Sequence, residues 1–249
     1  MQSMPYSEPT RVALVTGGAR RVGRAIVERL AEAGFDIAFT YLGSEGDAQE
    51  LSNDLQAQGR ACLTIKADLT DPATSVAIIG DAVAKRFGRL DVLINNASLY
   101  LPADLAHAEL SSSRRMWAIH VEAPMLLCQR FAPMLRSAKG HVVNMVDLLA
   151  EKPMPGYLPY SASKAGLWNL TLGLARELAP DVTVNGIAPG VVEWPENYPQ
   201  SDKEKYLKRV PLGRAGTGRD VAEAVHFLCT RGSYMTGQIL RLDGGRSIT

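Results

Sequence analysis

Short apolar runs alternate with longer stretches of helical period along almost the whole chain. The strand-length runs are Val12 to Val15, Phe35 to Tyr41, Ala61 to Lys66, Leu90 to Asn95, His141 to Val146, Val182 to Ile187 and Gln238 to Leu242. Helical periodicity fills the intervals from about Arg21 to Ala33 and near residues 46–58, 74–87, 113–137, 157–178 and 218–229. Strictly alternating strands and helices imply right-handed crossovers, a parallel sheet and helices on both of its faces. The pattern therefore predicts an α/β fold: a single doubly wound Rossmann-type domain over residues 11–249, preceded by a flexible N-terminal segment, residues 1–10.

Gly34 and Gly88 follow helical segments and precede strands, where a left-handed cap conformation favours glycine. They punctuate the chain without dividing it. The one irregular stretch, Glu193 to Ser201 with Pro195, Asn197 and Pro199, follows a strand whose C-terminal end faces the expected ligand crevice. It reads as part of a substrate-covering loop. No internal repeat or low-complexity tract interrupts the pattern.

Charge adds mainly exclusions. The 27 basic and 26 acidic residues of the 249 leave a formal charge of +1, so no general field favours nucleic acid or an anionic membrane surface. Cys62, Cys128 and Cys229 are widely spaced and unpaired by any Cys-x-x-Cys motif, which suits reduced thiols better than a disulfide framework or a zinc site. His107, His141 and His226 lack metal-ligand spacing, so no metal is expected. The polar start and the absence of a long apolar run predict a soluble, cytoplasmic protein without a membrane span.

The first chemically informative segment is Thr16 to Gly23, at the junction of the first strand and first helix. Backbone N–H groups and the helix dipole there suit a pyrophosphate, and glycine allows its close approach. The second strand ends Ala38-Phe39-Thr40-Tyr41, without the acidic residue that binds a ribose 2′-hydroxyl in NAD sites. Arg20 in the turn and Ser44 after the strand offer a charge and a hydroxyl to a 2′-phosphate, which favours NADPH.

Tyr160 and Lys164 lie four apart on an expected helix and so share a face. An ammonium beside a phenol favours the phenolate, so Lys164 is expected to lower the Tyr160 pKa and fit it for proton transfer while a cofactor moves hydride. His120, between Ile119 and Val121, reads as a satisfied packing residue and is not counted as catalytic.

In this order the motifs resemble the short-chain dehydrogenase/reductase family over nearly the whole chain. They are the Thr16 to Gly23 turn, Asp68 after the third strand, Asn95-Asn96-Ala97-Ser98 after the fourth, Tyr160 with Lys164, and Pro189-Gly190 after the sixth. The resemblance implies NADPH/NADP held by Gly17, Arg20, Arg21, Val22, Tyr41, Ser44, Asp68, Leu69, Asn96, Ala97, Tyr160, Lys164, Pro189 and Gly190. Within it, Asp68 sits near the adenine, Lys164 holds the nicotinamide ribose, Pro189-Gly190 border the nicotinamide, and the assembly is a homotetramer.

Three departures narrow the resemblance. Arg21 stands where the common turn has glycine, Asp147 where the usual catalytic serine lies, and His120 where a structural asparagine is usual. Together with Asn95 to Tyr100 and the ending Leu242-Asp243-Gly244-Gly245, these look like the pteridine reductases, and His120 like their dihydromonapterin reductase branch. This subgroup implies Asp147, Tyr160 and Lys164 as catalytic residues and Arg21, Ser98, Tyr100, Asp147 and Tyr160 against a pteridine substrate. A ketone needs a hydrogen-bond donor at oxygen, whereas a pterin C=N bond needs a proton at ring nitrogen, and a carboxylate can relay one. The alternatives are a carbonyl or 3-oxoacyl reductase of the same family, and a non-catalytic dinucleotide-sensing regulator.

Overall fold

The computed structural model describes residues 10–194 and 198–249. The N-terminal segment expected to be flexible therefore lies, except for Thr10, outside the described residues, as do Pro195 and Asn197 of the expected loop.

The strands are β1 (Val12–Val15), β2 (Asp36–Tyr41), β3 (Cys62–Lys66), β4 (Val92–Asn95), β5 (His141–Met145), β6 (Thr183–Pro189) and β7 (Ile239–Leu242). They form one parallel sheet in the order β3-β2-β1-β4-β5-β6-β7. The strand order reverses between β1 and β4, so a crevice opens at the carboxyl ends of the strands there. The helices are α1 (Arg21–Glu32), α2 (Glu45–Ala57), α3 (Pro72–Phe87), α4 (Leu110–Trp117), α5 (Ala123–Ala138), α6 (Leu158–Glu177), α7 (Gln200–Leu207) and α8 (Gly218–Thr230).

Successive side chains of a strand point to opposite faces, and both faces here are covered, which is why the strands read as unbroken apolar runs. In β1, Ala13 and Val15 enter one layer with Ile26 and Leu30 of α1 and Val221 and Val225 of α8. Val12 and Leu14 enter the other with Ile79 and Val83 of α3 and Leu127 and Phe131 of α5. Local signals set the helix ends. Asp71 caps α3 by accepting from the Thr74 N–H, and Gly88 closes it in the left-handed conformation at φ +65°.

Two elements differ from the sequence pattern. The helix expected near 113–137 begins at Leu110, ends at Ala138 and contains a π turn, Ala118–Glu122, between α4 and α5. Pro124 has no N–H to give the His120 carbonyl, and its ring excludes that carbonyl, so a wider turn precedes it. The second, α7, was not anticipated, because its charged sequence QSDKEKYL buries no residue and carries no apolar stripe.

A buried polar relay stiffens the platform under the crevice. Asn95 Nδ2 donates to Asn144 Oδ1 at 2.7 Å, Asn144 Nδ2 to Thr171 Oγ1 at 2.9 Å, and Thr171 Oγ1 to the Leu167 carbonyl at 2.7 Å. It ties β4 and β5 to α6. Among the described residues no helix is long and apolar enough to cross a membrane, and no cluster of His, Cys, Asp or Glu could hold a metal ion.

Candidate active site

A cleft of about 980 Å³ lies along the carboxyl ends of β1, β4, β5 and β6. Gly17, Arg20, Arg21, Val22, Tyr41, Asp68, Leu69, Asn96, Ala97, Ser98, Tyr100, Asp147, Tyr160, Lys164, Pro189 and Gly190 all line it. Sequence positions separated by up to 173 residues are thereby brought to one site. Ser44 is the exception. The chain turns away after Leu42, and Ser44 becomes the residue preceding α2, outside the cleft lining.

The phosphate turn is built by close packing. A Cβ on Gly23 would lie 2.0 Å from the Gly17 carbonyl, and one on Gly17, at φ +64°, 3.1 Å from Ala97 Cα. Asn96 Nδ2 donates to the carbonyls of Thr16 and Gly17 at 2.9 and 3.1 Å and so holds the turn from below. The N–H groups of Gly17 and Gly18 are already given to Thr40, at 3.0 Å to its Oγ1 and 2.9 Å to its carbonyl. The donors open to an anion are instead those of the first turn of α1, which has neither a side-chain cap nor an acidic residue. That end of the helix fits a dinucleotide pyrophosphate.

Arg20 lies beside this turn with its side chain 59 % exposed and 3.7 Å from the Asp47 carboxylate. Arg21 holds φ +53°, the region that favours glycine, which accounts for the glycine of the common turn at this position. Its guanidinium is engaged by Glu193, with Nε 2.7 Å from Oε2 and an Nη2 bond of 3.2 Å to the carbonyl. Across the cleft, Asp68 accepts from the Thr70 N–H and hydroxyl at 2.9 and 2.7 Å, bonds that hold its carboxyl below the usual range.

At the other end of the cleft Tyr160 and Lys164 share one face of α6, as their spacing requires. The Tyr160 hydroxyl donates to Asp147 Oδ2 at 2.8 Å, and Lys164 Nζ donates to the Met145 carbonyl at 2.7 Å. Asp147 Oδ1 accepts the Leu149 N–H at 2.8 Å, so the same carboxylate also caps the short turn Leu148–Ala150. Burial pushes the Asp147 carboxyl up, against the opposing effects of the Leu149 N–H, the Lys164 charge and the Tyr160 hydroxyl. Burial brings the Lys164 ammonium down to about 8, with Asp147 opposing.

The Tyr160 phenol departs from expectation. Instead of being lowered by Lys164, its pKa is well above the ordinary value, first through burial and then through the charge and hydrogen bond of Asp147. A carboxylate that accepts from the phenol disfavours the phenolate. Tyr160, 4 % exposed, is thus held in its protonated form.

Several contacts were not legible in the chain. Tyr100 stacks on Tyr157, ring centroids 4.5 Å apart, and meets Tyr160 edge-on at 4.7 Å. His120, 1 % exposed, is bonded through both ring nitrogens, to Ser98 and Leu99 on one side and Ser163 on the other. Ser98, expected against substrate, has its hydroxyl 2.9 Å from His120 Nε2 and within hydrogen-bonding reach of the Tyr160 hydroxyl. Trp194, Tyr198 and Tyr206 form an aromatic group at the cleft edge. Ser98, Tyr100 and His120 could be singled out in the sequence, but the partners of each could not.

A doubly wound sheet whose crevice presents a glycine-rich strand-to-helix turn, an aspartate after β3 and a Tyr-Lys pair defines an NAD(P)-dependent reductase. The chain belongs to the short-chain dehydrogenase/reductase family. Residues 17–247 match the family model described as enoyl-(acyl carrier protein) reductase. The chain is 35 % identical to the 3-oxoacyl-(acyl-carrier-protein) reductase FabG of Staphylococcus aureus, over 95 % of this chain and 98 % of that protein. It is 31 % identical to pteridine reductase 1 of Leishmania tarentolae, over 99 % of both chains. Among solved structures it is similar to a blue fluorescent protein from a metagenomic library in complex with NADPH, at 36 % identity, TM-score 0.90, and 96 % and 98 % coverage. A short-chain dehydrogenase/reductase from Serratia marcescens matches at 33 % identity with the same TM-score and coverage.

Proposed function

We propose that the chain is an NADPH-dependent pteridine reductase that adds hydrogen across the C=N bond of a dihydropteridine to give the tetrahydro form. The observation that carries this reading is the 2.8 Å bond from the Tyr160 hydroxyl to Asp147, where a ketone reductase of the family has a serine donor. An ionised carboxylate cannot donate to a ketone oxygen, but it can orient a phenol and receive or pass a proton. The half-open Tyr100 ring, 42 % exposed and backed by Tyr157, offers a flat wall to a planar bicycle. Exposed Trp117, Met125 and Leu172 on α4, α5 and α6 support association of copies, as a homotetramer, within the same proposal.

Bound NADPH supplies the hydride. The α1 N-terminus and Arg20 would hold its phosphates, Lys164 its ribose, and Pro189 and Gly190 would lie on the nicotinamide side of the cleft. Tyr160 donates the proton to the ring nitrogen and Asp147 orients its hydroxyl. Hydride from the cofactor and the proton from Tyr160 would together reduce the C=N bond, and Asp147 would pass a proton taken up from solvent back to the phenolate.

A 3-oxoacyl reductase is the second reading, favoured by the 35 % identical relatives from Staphylococcus aureus. Steady-state oxidation of NADPH with a panel of dihydropteridines, 3-oxoacyl thioesters and simple ketones separates the two. Dihydropteridines should give the highest kcat/KM, and NADPH should be preferred to NADH. A preference for the thioester overturns the pteridine reading.

A pH profile tests Lys164 separately. Its depressed value of about 8 means that the ammonium is charged below that pH and neutral above it. Because kcat/KM for NADPH reports groups of the free enzyme, it should be flat through neutrality and fall on an alkaline limb near pH 8. A profile flat to about pH 10, where an ordinary lysine titrates, counts against this role.

A further inference from the structure

His120 sits in the π turn behind Tyr160 and has two bonded ring nitrogens, yet the reaction above does not use it. We propose that His120 is a positioning residue: a neutral imidazole protonated at Nδ1 that ties the Ser98–Leu99 segment to Ser163 on α6 and so fixes the Tyr160 phenol against Asp147.

The tautomer follows from what its partners can do. The Leu99 backbone N–H, 3.2 Å from Nε2, can only donate, so Nε2 must present its lone pair. The single proton of a neutral ring then lies on Nδ1 and is given to Ser163 Oγ at 2.8 Å. Ser163 passes the direction on, its hydroxyl donating to the Tyr160 carbonyl at 2.7 Å. The Ser98 hydroxyl, 2.9 Å from Nε2, is a second donor to the same lone pair. A second proton on the ring would point at the Leu99 N–H. Burial, and next the charge of Lys164, both oppose it.

The clamp acts on Tyr160 from two directions. Its backbone is held through Ser163, and its ring meets the His120 ring edge-on, centroids 5.5 Å apart. The Leu99 bond also fixes the residue before Tyr100, whose ring touches Tyr160 from another side. The π turn makes this possible by placing the imidazole between the segment after β4 and helix α6. A phenol held on these sides keeps its hydroxyl aimed at one carboxylate oxygen, and misplacement of a reacting group by about 1 Å can cost 10²-fold in rate.

The proposal rests on Tyr160 as the proton donor, so Tyr160→Phe is measured beside the His120 variants. In the full chain, ¹⁵N NMR of the histidine rings, with the His120 signals assigned by their loss in His120→Asn, should show a protonated Nδ1 and an unprotonated Nε2 at neutral pH. The opposite tautomer, or an imidazolium, overturns the proposal. His120→Phe should lower kcat about 10²-fold while KM for NADPH changes by no more than about twofold. His120→Asn, whose amide offers one donor and one acceptor, should recover about tenfold of that loss. Wild-type kcat in His120→Phe, or an Asn variant no better than Phe, also overturns it. If His120→Phe does not fold, the tautomer and the kcat of His120→Asn, expected about tenfold below wild type with KM unchanged, decide. An active Tyr160→Phe instead removes the assigned donor and leaves the tautomer result standing.

Discussion

Tyr160→Phe should lower kcat by roughly 10²–10⁴-fold while leaving the affinity for NADPH close to wild type, the usual scale for loss of a general acid. The substitution removes one oxygen from a buried ring whose packing against His120 and Tyr100 is otherwise kept. Asp147 loses the 2.8 Å bond at Oδ2 but retains the Leu149 N–H at Oδ1, so the turn it caps is preserved. The phenol is also the group whose pKa the site raises, and a protonated phenol is the form that can give a proton to the substrate. Single-turnover kinetics, with cofactor affinity from the fluorescence of the bound dinucleotide, separate the chemical step from binding. Turnover within a few-fold of wild type in a folded variant would remove Tyr160 from the mechanism.

The second large effect is a change in substrate preference. Asp147→Ser should reduce kcat/KM for a dihydropteridine by about 10²-fold, while activity on a simple ketone is kept or rises. Serine is a good cap and can accept the Leu149 N–H in place of the carboxylate, so the turn Leu148–Ala150 survives. What is lost is the charge beside Tyr160 and the second oxygen, which accepts the hydrogen bond of its hydroxyl. What is gained is a hydroxyl able to donate to a carbonyl oxygen. Without the carboxylate, the Tyr160 phenol should also come down, because Asp147 is the main cause of its elevation after burial. Equal losses on both substrates would show that Asp147 serves the fold or the general reaction and carries no preference for pterins.

The chain itself determined the layers and most of the cleft. Alternating apolar and periodic segments fixed strands and helices because each is a repeat of local geometry, and right-handed crossovers then left few sheet orders. Pairing on one helix face placed Tyr160 with Lys164, and glycine at Gly23 was forced by the Gly17 carbonyl within the same strand-to-helix turn. Those contacts are close in sequence, or follow from a motif whose parts have a fixed order. The tertiary structure decided what depends on distant partners and on burial. Glu193 reaches Arg21, and Tyr157 backs Tyr100, across separations that carry no periodic signal. His120 read as a packing residue because nothing in its neighbours along the chain announces Ser98, Leu99 and Ser163 as its partners. The Tyr160 pKa moved in the direction opposite to the one its lysine implied. A charge four residues away is read from spacing, but desolvation by the packed core and the Asp147 carboxylate from the segment after β5 act only once the chain has folded.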